Sequence, residues 1–266
     1  MPTTRVTLEQ RQNWDRDGWL VLTHLLPSAA RRELDAWVRE VSQPAGPRDR
    51  RLHYFERTSE GRVLCRTERF LEDHQQLSRL VATGVLPAIV GELIGERAVI
   101  YKEKINYKQP GGAGYRAHQD ATAYPFVRRY VTCLVAVDAM SAENGCLEFA
   151  PQGQPVLLAD DGDGCIPAEL AARLDWRPVE VSAGSVVFFG SHVPHRSGPN
   201  RSAQARRALY LTYNAASEGA RRNEYYDQRD HLLAERSRAA GRTAARISTI
   251  GHFEGRPDDE GTADGT

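Results

Sequence analysis

The chain has 266 residues with 35 basic and 35 acidic side chains, and 41% of it is hydrophobic, which is enough apolar material to bury a core as one domain. A formal net charge of zero excludes the broad basic field that recruits nucleic acid or an anionic membrane surface. No stretch reads as the roughly 18 consecutive apolar residues of a membrane span, and the opening MPTTRVTLEQRQNWDRDG has no apolar signal core, so a cytoplasmic protein is expected. Cys65, Cys133, Cys146 and Cys165 show neither a CxxC pair nor zinc spacing and read as reduced, buried small residues.

In chain order, Thr7 and Gln10 form a capping box for a helix ending near Gly18. WLVLTHLL at 19–26 reads as a strand, and Ser28 caps a second helix through about Ser42 with Leu34, Trp37, Val38 and Val41 on one face. Residues 43–62 are rich in breakers and charge and read as a loop, a candidate lid. A third helix covers about 74–94 and restarts near Pro87. From Ala98 onward come short β-like runs, AVIYKEKINYK, YVTCLVAVDA, GCLEFA, PVEVSAGSVVFFG and RRALYLTYNAA, interrupted by a helix at about 167–175. Helical pattern returns at about 221–240 as a solvated face, and 257–266 reads as a disordered tail. The whole suggests a mainly β single domain, 1–256, in which a sandwich or barrel packs against N-terminal helices.

Of the 35 cations only Lys102, Lys104 and Lys108 are lysines, and they lie within one seven-residue run. Genomic composition accounts for the arginines but not for this cluster, because an ammonium is a compact point charge and guanidinium a planar fork. On a strand Lys102, Lys104, Asn106 and Lys108 share one face, while Tyr101, Glu103, Ile105 and Tyr107 share the other. The first face lines a cavity or meets solvent.

His118-Gln119-Asp120 puts an imidazole and a carboxylate on one side of an extended chain, and SHVPHRSGPN supplies His192 and His195 after the strand VVFFG. Two histidines and one carboxylate are the facial set of non-haem Fe(II) oxygenases. Arg206 follows His195 by eleven residues; if their strands pair, it reaches the same cavity and holds the far carboxylate of a 2-oxo acid bidentately. Arg207 faces the other way. Asp161-x-Asp163-Gly lacks the later bidentate acid of a calcium loop and is a turn.

HxD at 118–120, NGCL at 144–147, VSAGSVVFFGSHVPHRSGPNRS at 181–202 and the arginine beyond them resemble the phytanoyl-CoA dioxygenase-like Fe(II)/2-oxoglutarate oxygenases. The resemblance spans roughly 15–215. It implies a double-stranded β-helix (a jelly-roll or cupin-like barrel), Fe(II) held by His118, Asp120 and His195 rather than by His192, and 2-oxoglutarate clamped by Arg206. Lys104, Asn106 and Thr132 are the implied polar neighbours of the cosubstrate. Where the family often has a histidine after the NGxL strand, this chain has PQGQP with Gln154. The stretch YKEKINYKQPGGAGYRAHQDATAY looks like the aminoalkylphosphonate hydroxylase branch, which implies hydroxylation of an anionic or zwitterionic small molecule such as 2-aminoethylphosphonate with O2. Lys102 and Lys108 would then meet the phosphonate, and Gln119, Tyr124 and Glu103 the ammonium. Two alternatives remain at this level: an oxygenase tailoring an aminosugar or amino acid derivative, and a non-catalytic cupin-like metal-binding or sensing protein.

Overall fold

The structure is a computed structural model and describes residues 6–46, 49–124, 126–239 and 252–258. Helix α1 (Leu8–Asp17) begins with the expected Thr7–Gln10 capping box and ends on Gly18 in the left-handed region. Strand β1 (Trp19–Leu22) stops short of residue 26, and α2 (Ser28–Ser42) is preceded by Pro27 with no side-chain cap, so Ser28 is its first residue rather than its cap.

The expected loop at 43–62 is largely a hairpin of β2 (Leu52–Thr58) and β3 (Gly61–Glu68). Its buried positions include Glu56, Arg66 and Glu68, which hides the alternation that normally marks a strand. The helical stretch at 75–94 divides into α3 (Gln75–Ala82) and α4 (Val85–Ile94). The break falls at Thr83–Gly84, where Gly84 has φ 88°, while Pro87 sits harmlessly in the first turn of α4. By length and composition this stretch could cross a bilayer, contrary to the sequence reading. Here it is broken, and Leu77, Val81, Leu86, Ile89, Val90 and Leu93 lie in the core.

The β region contains β4 (Ala98–Lys108), β5 (Tyr115–His118), β6 (Tyr130–Ala136), β7 (Leu147–Phe149), β8 (Arg177–Val179), β9 (Val186–Gly190), β10 (His195–Ser197) and β11 (Arg206–Ala215). The helix α5 before β8 is only Ala168–Ala171, and α6 (Arg222–Ala239) follows β11. A short β12 (Arg256–Pro257) pairs with β2, and residues 259–266 of the expected tail lie outside the described residues. The eight-stranded sheet runs β1-β9-β6-β11-β4-β3-β2-β12 and the four-stranded sheet β5-β10-β7-β8, with every pairing antiparallel.

The large sheet is buried on both faces, which explains near-continuous apolar strands such as YVTCLVA. Val131, Cys133 and Val135 pack outward with α2, α3 and α4, whereas Leu134 and Ala136 pack inward with Leu147 and Phe149 of the small sheet. The four cysteines are all buried.

One bulge changes the expected faces of β4. Thr212 pairs with Lys102 but Tyr213 with Ile100, leaving Tyr101 as the extra residue. Tyr101 therefore clusters with Tyr124, Tyr130 and Tyr225, while Ile105 and Tyr107 join the outer core as expected. The lysine face is the inward one.

Candidate metal and anion site

The register of β10 against β5 pairs His195 directly with His118, and their ring centroids are 4.1 Å apart. Asp120 follows on a single 3-10 turn. One ligand atom from each of His118, Asp120 and His195 lies within 4.8 Å of the others, and all three residues are buried. His118 Nδ1 bonds the Arg116 carbonyl at 2.7 Å and His195 Nδ1 the Val193 carbonyl at 3.0 Å. Each ring then carries its proton on Nδ1 and turns an Nε2 lone pair inward, the usual outer support of a metal-binding imidazole. Burial pushes the pKa of His118 well down, with His195 and His252 adding to the effect, and burial lowers His195 against the pull of Asp120. Both imidazoles are held neutral, as metal ligation requires. Thr132 Oγ1 donates to Asp120 Oδ2 at 3.3 Å and contacts Thr212 Oγ1 at 3.1 Å, so the residue expected beside the cosubstrate also steadies the carboxylate. His192 is not part of the cluster; its carbonyl accepts from Gln119 Nε2 and its ring bonds Ser191.

Arg206 begins β11 opposite Lys108 and is 1% exposed. Its Nη2 donates to the Gly145 carbonyl at 2.7 Å, while Nε and Nη1 are buried without a hydrogen-bond partner. Two orphaned guanidinium donors in a dry place are costly unless a ligand carboxylate completes them, and this is the structural observation that fits 2-oxoglutarate. Gly145, at φ 73°, explains the NGCL motif: a Cβ there would stand 2.3 Å from the Gly198 carbonyl oxygen and 2.9 Å from Lys108 Nζ. Arg207 points away, to Asp138 and Asp35.

A cavity of about 250 Å³ opens beside the triad and is walled by His118, Asp120, Lys102, Lys104, Tyr115, Tyr124, Tyr225, Arg66, Arg229 and His252, with Asp163 also on its lining. Lys102 Nζ lies over the rings of Tyr124 and Tyr225 at 5.3 and 5.1 Å and stands 3.7 Å from the wholly buried Glu68. Lys104 Nζ lies 4.8 Å from the Tyr210 ring centre. Arg66 is braced by Asn106, Glu68 and Tyr115, so Asn106 organises a cation of the cavity. Burial lowers Lys102 to about 8 against the opposing pull of Glu68, and lowers Lys104 to about 7 with Arg66 and Lys102 adding to it. Burial would raise Glu68, but Lys102, Arg229 and Arg66 hold it at about 2.

Two expected substrate residues lie elsewhere. Lys108 Nζ spends its three donors on the carbonyls of Gly145 and Gly198 and on Ser197 Oγ. The amide of Gln119 bonds the carbonyls of Val156 and His192 and the Leu158 amide. Both fasten loops around the site. Glu103 faces the other side of β4 and is taken by Arg222. Conversely, Arg66, Tyr115, Tyr225, Arg229 and His252 are cavity residues that sequence reasoning missed. The spacing Tyr225-x-x-x-Arg229 puts two of them on one face of α6, so that helix is not simply solvated. Residue 240, the end of the expected helical pattern, lies outside the described residues.

The family model for phytanoyl-CoA dioxygenase (PhyH) matches residues 14–208. The chain is 45% identical to a methylphosphonate hydroxylase of Gimesia maris over 96% of its length and 98% of the relative's. It is 39% identical to a 2-aminoethylphosphonate dioxygenase of an uncultured bacterium, HF130_AEPn_1, over 92% and 95% of the two chains. Among solved structures, EctD from S. alaskensis with 2-oxoglutarate and 5-hydroxyectoine superposes with a TM-score of 0.68 at 20% identity, covering 82% of this chain and 79% of that one. The carbocyclase SnoK from nogalamycin biosynthesis superposes at 0.67 and 23% identity, covering 81% and 87%. The fold is thus the double-stranded β-helix of Fe(II)/2-oxoglutarate oxygenases.

His118→Ala and Asp120→Ala should each abolish stoichiometric Fe(II) binding, measured by anaerobic titration calorimetry on metal-free protein. Retained tight binding in both would remove these residues from the metal site.

Proposed function

The chain belongs to the phytanoyl-CoA dioxygenase family and is an Fe(II)/2-oxoglutarate-dependent dioxygenase, and from that premise we propose that it hydroxylates a small alkylphosphonate on the carbon bonded to phosphorus. The observation that carries this reading is the convergence of Lys102, Lys104, Arg66 and Arg229 on one cavity wall beside His118 and Asp120. At an effective dielectric near 20, two unit charges 4 Å apart interact by about 4 kcal/mol. The four cations face Glu68, Asp120 and Asp163, and Asp120 is committed to the metal position, so positive charge remains in excess. A dianionic phosphonate answers it. The cavity volume of about 250 Å³ suits a substrate of a few heavy atoms. The names of the two relatives, methylphosphonate hydroxylase and 2-aminoethylphosphonate dioxygenase, support the same chemical class. Four buried thiols suit a reducing cytoplasm.

In this reading His118, Asp120 and His195 hold Fe(II) and Arg206 binds the distal carboxylate of 2-oxoglutarate. When bound, the metal with 2-oxoglutarate and O2 supplies the oxidation of an unactivated C–H bond, converting the cosubstrate to succinate and CO2. The chain does the rest. Lys102, Lys104 and Arg229 fix the phosphonate oxygens, so the adjoining carbon is placed rather than searched for. Tyr124 and Tyr225 narrow the space and exclude water, while Thr132 keeps Asp120 turned toward the metal position. Asp163, on the same lining, is placed to meet a substrate ammonium if there is one.

Substrate-stimulated succinate production with methylphosphonate and 2-aminoethylphosphonate tests the proposal; no stimulation by either would refute it. Lys102→Ala and Lys104→Ala should each raise the phosphonate KM roughly tenfold or more, since a charged hydrogen bond contributes about 1.5–3 kcal/mol, with less change in the KM for 2-oxoglutarate. Arg206→Ala should do the reverse: truncating one side of a buried charged pair costs about 2–5 kcal/mol, a rise in the 2-oxoglutarate KM of at least about thirtyfold. The pH dependence has a definite sign. Because Lys104 and Lys102 are bases lowered to about 7 and about 8, they shed their charges in turn as the pH rises through those values, so the phosphonate KM should climb on the alkaline side. A flat KM profile from about pH 7 to pH 9 would contradict it.

A further inference from the structure

The segment His252–Asp258 lies beyond the residues 14–208 that match the family model, yet its first residue, His252, lines the cavity. At one end Arg116 N donates to the His252 carbonyl at 2.7 Å, Glu254 N donates to the Gly114 carbonyl, and Phe253 packs on Tyr115 with ring centres 5.3 Å apart. At the other end Arg256 and Pro257 pair with Arg57 and Glu56 of β2, and the buried Asp258 carboxylate meets Arg57 and Arg62. The segment therefore ties β5 of the small sheet to the edge of the large one. At the first of these anchors the His252 ring stacks on His118, with centroids 3.9 Å apart and planes at 25°, and forms part of the cavity wall.

We propose that this C-terminal strap belongs to the active site, with His252 acting as a positioning residue for the metal ligand His118. Two contacts act on the same ring. The stacked imidazole lies against the His118 ring at 3.9 Å and restricts its rotation. The backbone of Arg116 accepts the His118 Nδ1 proton through its carbonyl and holds the strap through its amide, so strap and ligand share one residue of β5. Removing the stacking partner lets His118 turn about its remaining Nδ1 hydrogen bond, away from the geometry in which Nε2 points inward. Loss of a hydrogen-bonding partner of a ligating histidine costs roughly 10–100-fold in metal affinity, and loss of the stack is expected at the lower end of that range.

The inference rests on the triad holding Fe(II) but not on the identity of the substrate, so its test is metal binding. Fe(II) affinity would be measured anaerobically by titration calorimetry on the metal-free full chain, alongside the unfolding temperature of the same metal-free samples. The expected result is at least a tenfold weaker Fe(II) affinity in His252→Ala and recovery to near the wild-type value in His252→Phe, which restores a stacked ring without a ligating nitrogen. The metal-free unfolding temperatures should stay close to that of wild type. Wild-type affinity in His252→Ala, or equal weakening in both variants, would overturn the proposal. Wild-type protein that binds Fe(II) normally but oxidises no phosphonate would sink the substrate reading alone.

Discussion

The site depends on one cross-strand pair, His118 opposite His195, joining β5 to β10. A register slip of a single residue would turn one ring to the other face of the small sheet and leave no place where two imidazoles and Asp120 converge. The register is held from both sides. Backbone carbonyls of Arg116 and Val193 take the Nδ1 protons, and Phe149 of β7 pairs with His195 from the far edge while packing against Phe189 of the large sheet. The aromatic core between the sheets thus doubles as the support of the metal ligands.

The same inner face of the large sheet changes chemistry along its length. Near β7 it is apolar, through Leu134, Ala136, Ala208 and Phe189; toward the cavity it becomes Thr132, Thr212, Lys102 and Lys104. Burying that many cations works against folding, and the lowered pKa values of the two lysines register the cost. Arg206 carries a similar cost as two orphaned donors. Under the proposed function these positions meet anions, and ligand binding would recover what the fold gives up there. A sensing protein with a purely structural metal would have no use for a buried, half-satisfied arginine on the inner face of the sheet.

Local chemistry was legible in the sequence because its spacing survives on a strand. HxD, the late histidines, the arginine at the start of β11 and the inward lysine face are all short-range patterns. Long-range partners were not legible. Arg66 was hidden in a hairpin whose buried charges imitate a loop, and Arg229 in a helix whose mixed charges imitate a solvated face. His252 stood in a stretch with no periodicity. The bulge at Tyr101 defeated strict alternation by one residue, moving an aromatic ring from the expected outer core into the cavity cluster. Lys108 and Gln119 carried the right chemistry in the right stretch, but backbone carbonyls and the Ser197 hydroxyl consume their donors. Only the placement of the 144–145, 156–158 and 197–198 segments reveals this.

The central claim joins the triad, the arginine and the cation wall in one reaction, and phosphorus-31 NMR observes that reaction directly. With Fe(II), 2-oxoglutarate and O2 present, methylphosphonate or 2-aminoethylphosphonate should give a new resonance of a hydroxylated phosphonate with its carbon–phosphorus bond intact, matched by one equivalent of succinate. Unchanged phosphonate resonances, or succinate formed at the same rate with and without phosphonate, would contradict it.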